Sequence, residues 1–172
     1  MPRLFVGIDF PPELKLGLSK LCAGVPGAKW VRSRKFHLTL RFIGSVDDPT
    51  AANIIAVLLQ IEASSFMLSL VGVGHFGGHT LWVGVKKNPA LICLQARIEG
   101  CLQQIGLAAD TKPYVPHVKL AHLKRRRSLR AFLTENADFR AGPFPVECFS
   151  LIESRPGSEG AVYEHKADYA LR

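Results

Sequence analysis

Two short segments of this sequence each carry a histidine followed, two positions later, by a second polar residue. They are His37-Leu38-Thr39-Leu40 and His117-Val118-Lys119-Leu120. In a β-strand the side chains alternate between faces, so each histidine shares a face with Thr39 or Lys119 while the aliphatic residues turn to the other face. Histidine can exchange a proton near neutral pH. Two such pairs that face each other could hold a phosphate between two proton-transfer groups.

The segments that precede the two histidines also match each other. Leu4-Phe5-Val6-Gly7-Ile8 resembles Leu81-Trp82-Val83-Gly84-Val85 at a separation of 77 residues, and the histidines lie 80 residues apart. Strands commonly use such residues, so coincidence is the alternative explanation. The shared order of segment and histidine favours an internal duplication. It predicts two lobes related by a pseudo-two-fold axis, with the histidine strands meeting at a shared cleft.

Hydrophobic periodicity and turn residues divide the rest of the chain into strands and helices. Strands are predicted over residues 3–9, 29–31, 36–43, 66–73, 80–86, 115–123, 144–153 and 161–170. Helices are predicted from Pro12 to before Gly24, from the N-cap cluster 47–49 to about Ile61, from Pro89 to about Gln104, and near 128–136. This pattern predicts an α+β fold of two lobes, each a mainly antiparallel sheet with helices outside. We expect one bilobal domain over 1–172, with the second copy of the opening strand near residue 81.

The composition is that of a folded, basic protein. The chain has 172 residues, 48% of them hydrophobic, and a formal net charge of +8, which favours polyanionic partners such as RNA. The four cysteines show no metal-type spacing, and His75 and His79 flank a glycine turn without nearby carboxylates, so we expect no metal and no cofactor. Without a signal peptide or a membrane-length apolar run, we expect a cytoplasmic monomer that does not contact membranes.

The two histidine segments resemble the motifs of the two-histidine (2H) phosphoesterase superfamily, in particular its RNA 2′,3′-cyclic phosphodiesterase branch, also called 2′-5′ RNA ligase-like. His37-Leu38-Thr39-Leu40 is similar to the first family motif, and Pro116-His117-Val118-Lys119-Leu120-Ala121 is similar to the second. The resemblance covers essentially the whole chain. Two positions depart from it: Lys119 stands where the family usually has Thr or Ser, and His122 stands where it commonly has Arg. His122 should lie on the face opposite His117 unless the strand has a bulge.

The resemblance implies hydrolysis of RNA 2′,3′-cyclic phosphate ends, or of a cyclic nucleotide, to a 2′-phosphate without a metal. It gives His117 the role of general base and His37 that of general acid, with Thr39 and Lys119 binding the phosphate. The reverse reaction would join a cyclic phosphate to a 5′-hydroxyl as a 2′-5′ linkage. A lysine binds phosphate as a point charge but cannot form the short, directional hydrogen bond of a hydroxyl.

Several other residues are candidate contacts for RNA or substrate, each with a structural alternative. Arg41 follows the first motif and could share the face of His37, or form a surface ion pair. The basic run after the second motif is either a phosphate contact or a solvated face. The candidates are Arg41, Phe5, Tyr114, Lys124, Arg125, Arg126, Arg127 and Arg130.

Two other functions remain open on the sequence alone. One is a non-catalytic RNA- or nucleotide-binding module that keeps the cleft, which Lys119 favours. The other is a related phosphodiesterase that acts on 2′-5′ oligonucleotides or on ADP-ribose 1″,2″-cyclic phosphate.

Overall fold

The computed structural model describes residues 1–172 and contains nine strands and four α-helices. The strands are β1 (Arg3–Asp9), β2 (Ala28–Trp30), β3 (His37–Ser45), β4 (Phe66–Phe76), β5 (Thr80–Val85), β6 (His117–Leu123), β7 (Arg140–Val146), β8 (Cys148–Arg155) and β9 (Val162–Ala170). The helices are α1 (Pro12–Ser19), α2 (Asp48–Leu58), α3 (Pro89–Gln104) and α4 (Arg130–Glu135).

The strands form two antiparallel sheets with matching strand orders. One sheet has the order β3-β1-β8-β9 and the other β2-β6-β5-β4-β7. Each histidine strand therefore pairs with the strand that opens its half of the chain, β3 with β1 and β6 with β5. The predicted α+β architecture of two pseudo-two-fold-related lobes is confirmed.

The strand registers correct the alignment between the two halves. Ile8 lies opposite Leu38, and Val83 lies opposite Val118. The opening strands therefore correspond at a separation of 75 residues when the histidine strands correspond at 80. The sequence match at 77 is out of register by two residues. A shift of two keeps every side chain on its face, because strand side chains alternate with a period of two.

The prediction of a single strand over 144–153 is wrong. The chain turns at Glu147, so that β7 joins the sheet of β6 while β8 joins the sheet of β3. Pro143 and Pro145 lie in β7, and prolines there had argued against a strand. They are tolerated because β7 is at the edge of its sheet and needs hydrogen-bond donors on one side only.

The aliphatic residues of the two motifs anchor the histidine strands in the core. Leu38, Leu40, Val118 and Leu120 are each at most 1% exposed and belong to a core cluster that includes residues of both sheets. Burial of these side chains fixes which face of each strand can carry His37 or His117, since a one-residue slip would expose the whole apolar set.

Helix starts follow the sequence signals. Asp47 caps α2 by accepting a hydrogen bond from the Thr50 amide at 2.8 Å, and Asn88 caps α3 through the Leu91 amide at 3.1 Å. None of the helices combines the length and hydrophobicity that crossing a membrane requires. All four cysteines are free thiols, and Cys93 and Cys148 are exposed rather than buried.

Removing the leucine behind His37 should destabilise the fold. Leu38→Ala leaves a cavity under β3 and should lower the free energy of unfolding by about 2–5 kcal/mol. Leu16→Ala is the matched control, because Leu16 is 62% exposed and should change stability by no more than about 0.5 kcal/mol. Chemical denaturation measures both, and equal effects of the two substitutions would contradict the assigned burial.

Candidate active site

The two motif histidines line one cleft between the sheets. Strands β3 and β6 belong to different sheets but pack against each other. The cleft has a volume of about 390 Å³. Its lining includes all four motif residues and eight others: His37, Thr39, His117 and Lys119, with Arg3, Phe5, Val31, Lys35, Phe42, Ser154, Ala161 and Tyr163.

Both imidazole rings are oriented by the same type of hydrogen bond. Nδ1 of His37 lies 2.8 Å from the carbonyl oxygen of Lys35, and Nδ1 of His117 lies 2.7 Å from that of Val115. A carbonyl can only accept, so Nδ1 is the donor in each ring and the neutral histidine carries its free lone pair on Nε2. The carbonyl stands two residues before the histidine in both cases. The two halves thus present the same ring nitrogen for proton transfer.

The surroundings of the two rings differ. Nε2 of His37 lies 3.0 Å from the Thr39 hydroxyl, whereas the Lys119 side chain is exposed. Burial penalises the charged imidazolium and lowers the pKa of His37, outweighing the hydrogen bond to Lys35, which raises it. His37 is therefore held neutral more strongly than a histidine in water.

A matching bulge interrupts both histidine strands. Thr39 lies opposite Gly7 and Arg41 opposite Val6, so Leu40 is an extra residue in β3. In β6 Leu120 is the equivalent extra residue. Such a bulge reverses the alternation of side chains beyond it.

The bulge overturns the expectation for Arg41 and for His122. Phe42, rather than Arg41, continues the face of His37 and lines the cleft. His122 occupies the position in β6 that Phe42 occupies in β3 and is exposed. The bulge therefore places His122 on the same face as His117, the case that simple alternation excluded.

Arg41 belongs to an ion-pair network outside the cleft. Its Nε lies 2.5 Å from Glu99 of α3, a charge contact without hydrogen-bond alignment, and its guanidinium donates to the carbonyl of Ala108 at 2.5 Å. The Arg41 side chain is only 12% exposed. The prediction that Arg41 contacts substrate is wrong in this structure, because the guanidinium is already bound on the other face of β3.

Tyr114 and Phe5 support the first motif. The Tyr114 hydroxyl donates a hydrogen bond to the carbonyl of Thr39 at 3.0 Å, which ties the segment before β6 to β3. Phe5 is 4% exposed and its ring centroid lies 4.8 Å from that of His37. Phe5 lines the cleft and packs against His37, whereas Tyr114 does not line it.

The basic run lies next to the second motif but outside the 390 Å³ cleft. Its members are exposed and occupy the loop between β6 and α4, which Arg130 begins. Arg126 passes over Gly78 in the β4–β5 turn, and Arg127 passes over Gly27 before β2. These residues are Lys124, Arg125, Arg126 and Arg127.

Three residues of the cleft escaped the sequence analysis. Arg3 shares a strand face with Phe5, a relation that alternation along β1 could have shown. Lys35 lies before the strand begins, so no strand periodicity includes it. Tyr163 comes from the distant β9, and its ring edge lies 5.3 Å from His37. Only the folded sheet order brings Tyr163 to the first motif.

Other clusters that could bind ligands lack such an arrangement. His75 accepts a hydrogen bond from the Gly78 amide, and Nδ1 of His79 lies 3.0 Å from the carbonyl of Leu123, so both stabilise the turn. No three His, Cys, Asp or Glu side chains are grouped as metal ligands. A larger cavity of about 900 Å³ lies between α2, α3 and β9 but contains no histidine.

Titration should show the neutral state of His37. We expect its imidazole to titrate below the ordinary value of about 6.5, because burial lowers its pKa. Since the unfolded chain binds this proton more readily, stability should fall as pH drops from about 6.5 to the pKa of the folded state. His37→Gln should remove that part of the pH dependence. NMR titration of the ring, with urea unfolding at each pH, measures both. A pKa of His37 at or above 6.5 would contradict the expected effect of burial.

Comparison with known proteins gives a consistent family. Residues 10–157 match the family model of the 2′-5′ RNA ligase superfamily. An RNA 2′,3′-cyclic phosphodiesterase of Aeropyrum pernix is 34% identical over 149 residues, which cover 82% of this chain and 84% of that protein. One from Methanocaldococcus jannaschii is 25% identical and covers 94% of this chain and 96% of that protein.

A solved structure shows the same fold. The crystal structure of E. coli LigT complexed with 3′-AMP aligns with a TM-score of 0.82 at 22% identity, covering 99% of this chain and 98% of that one. The resemblance predicted from the two histidine motifs is confirmed. The chain belongs to the 2′-5′ RNA ligase superfamily of two-histidine phosphoesterases.

Proposed function

We propose that this protein hydrolyses RNA 2′,3′-cyclic phosphate ends to 2′-phosphates, with His37 and His117 as its acid and base. The observation that carries the proposal is the pair of oriented imidazoles in one cleft, each presenting Nε2. The activity named for the relatives, RNA 2′,3′-cyclic phosphodiesterase, supports the choice of substrate.

The arrangement suits an in-line displacement. Water attacks phosphorus on the side opposite the departing ribose O3′, so the base and the acid must lie on opposite sides of the phosphate. Histidines from two facing strands meet this demand, whereas two on one strand would not. Nε2 of His117 takes the proton of the attacking water, and Nε2 of His37 gives a proton to O3′ as the P–O3′ bond breaks.

The role of acid requires His37 to be protonated when substrate is bound. Burial lowers its pKa in the free protein, but the negative charge of a cyclic phosphate in the cleft favours the imidazolium and raises the pKa again. Substrate binding and protonation of His37 are therefore coupled. This coupling restricts the active form of the acid to the complex.

Thr39 and Lys119 stabilise the charge that develops on the phosphoryl oxygens. The Thr39 hydroxyl lies next to Nε2 of His37 and can donate to one oxygen, while the exposed Lys119 ammonium neutralises another. None of these steps uses a metal. The same groups serve ligation of a cyclic phosphate to a 5′-hydroxyl, since that reaction reverses the proton transfers.

The basic run extends the site toward longer RNA. Lys124 to Arg127 follow β6 directly and add to the net charge of +8. Contacts from these side chains to the RNA backbone would weaken as salt rises, because binding releases counterions.

Alanine substitution of either histidine tests the mechanism. His37→Ala and His117→Ala should each reduce hydrolysis of 2′,3′-cyclic AMP by at least about 10²-fold, because each removes a proton-transfer group. His165→Ala is the matched control, since His165 is exposed and pairs with Asp168 outside the cleft. The assay contains EDTA, and circular dichroism verifies that the variants fold.

Full activity in either histidine variant would refute the mechanism. Turnover by the unaltered protein that stops in EDTA would refute metal independence. Binding of the cyclic nucleotide without any turnover would instead indicate a non-catalytic module.

A further inference from the structure

An exposed aromatic side chain lies against His117. Phe76, the last residue of β4, is 40% exposed, and its ring centroid lies 4.8 Å from that of His117 at an interplanar angle of 89°. Phe76 does not line the 390 Å³ cleft. Its open face therefore continues the site beyond His117, on the side away from His37.

Trp82 supports Phe76 from beneath. The two ring centroids are 5.3 Å apart, and Trp82 lies across from Gly74 in the β4–β5 pair. A Cβ atom on Gly74 would lie 2.3 Å from the indole, so glycine is needed for the indole to lie over β4. The indole Nε1 is buried without a hydrogen-bond partner. Trp82 thus serves as packing, and Phe76 is the surface left open.

The aromatic groups of the other lobe are arranged differently. Phe5 and Tyr163 pack against His37 at 4.8 and 5.3 Å, but Phe5 is only 4% exposed. Phe42, which is 47% exposed, supplies the open aromatic surface on that side and lines the cleft. An accessible aromatic ring therefore stands near each histidine.

These two surfaces fit a phosphate that carries a nucleoside on both sides. In an in-line displacement the entering and leaving oxygens lie on opposite sides of phosphorus. Hydrolysis needs a nucleoside on only one side, because the entering oxygen belongs to water. An aromatic ring at the water side can instead stack on the base of a second nucleoside, and such stacking is tolerant of base identity.

The charge around Phe76 also fits a continuing strand. The side chain of Arg126 passes over Gly78, two residues beyond Phe76, with its Cγ 3.4 Å from where a Cβ of Gly78 would lie. The next phosphate of a nucleotide stacked on Phe76 would meet a cationic surface there.

We propose that Phe76, supported by Trp82, is the stacking surface of a second nucleoside subsite, and that the substrates include 2′-5′-linked RNA. This inference rests on the proposed function and deepens it. In cleavage of the linkage, the 3′-hydroxyl of the first nucleoside attacks phosphorus and gives its proton to His37. The P–O5′ bond breaks and O5′ takes a proton from His117. The products are a 2′,3′-cyclic phosphate and a nucleoside with a free 5′-hydroxyl, and neither water nor an oxidant is consumed.

The test compares a substrate with two nucleosides and a substrate with one. For Phe76→Leu, kcat/KM for 2′-5′-linked ApA should fall about tenfold more than kcat/KM for 2′,3′-cyclic AMP, because only the dinucleotide loses a stacked base. Phe76→Trp should restore the ratio. Phe42→Leu is the matched control, an equally exposed aromatic on the other lobe, and should lower both values alike.

A binding measurement separates this inference from the proposed function. Titration of tryptophan emission with 2′-5′-linked ApA uses Trp82 as the reporter, and Phe76→Leu should weaken the affinity at least fivefold. Such a result supports the subsite even if the unaltered protein fails to hydrolyse 2′,3′-cyclic AMP, which alone would refute the proposed function. Equal losses for both substrates in Phe76→Leu, or no binding and no turnover of ApA by the unaltered protein, would overturn the inference.

Discussion

A hydrogen bond from Nδ1 to the backbone carbonyl two residues earlier fixes each motif histidine, and the rest of the site depends on it. His37 uses the carbonyl of Lys35 and His117 that of Val115. The bond sets the ring orientation and places the exchangeable lone pair on Nε2. The carbonyls are held because Leu38 and Val118, next to the histidines, are completely buried. Core packing thus determines which nitrogen can take part in proton transfer.

The two halves share their framework but differ in their chemistry. Both histidine strands carry a bulge at the equivalent leucine, Leu40 in β3 and Leu120 in β6. Around this common backbone, His37 is enclosed and bonded to the Thr39 hydroxyl, whereas His117 has an exposed Lys119 in the equivalent place. Environments that differ in this way separate the proton affinities of two identical side chains, which is what an acid and a base require.

Much of the fold could be predicted because burial leaves a periodic record in the sequence. Alternation placed His37 and His117 on cleft-facing strands, and helix α3 begins and ends where Pro89 and Gln104 indicated. The errors arose where hydrogen bonding between strands broke the period. The bulge at Leu40 turned Arg41 out of the cleft, and no residue type marks that bulge in advance.

Other features depended on contacts between distant segments. Strand β7 was missed because Pro143 and Pro145 argue against a strand unless its edge position is known. Tyr163 lies 126 positions after His37 in the sequence but reaches it through the pairing of β9 with β8. Sequence periodicity reports which face of an element is buried, and it does not report which elements are neighbours.

The central claim is that His37 and His117 act from opposite sides of one phosphate in a single displacement. Hydrolysis of one diastereomer of adenosine 2′,3′-cyclic phosphorothioate in ¹⁸O-labelled water tests it most directly, because the configuration of the product reports the geometry at phosphorus. The account predicts inversion of configuration. Retention would require two displacements through a covalent intermediate, such as a phosphohistidine, and would contradict it.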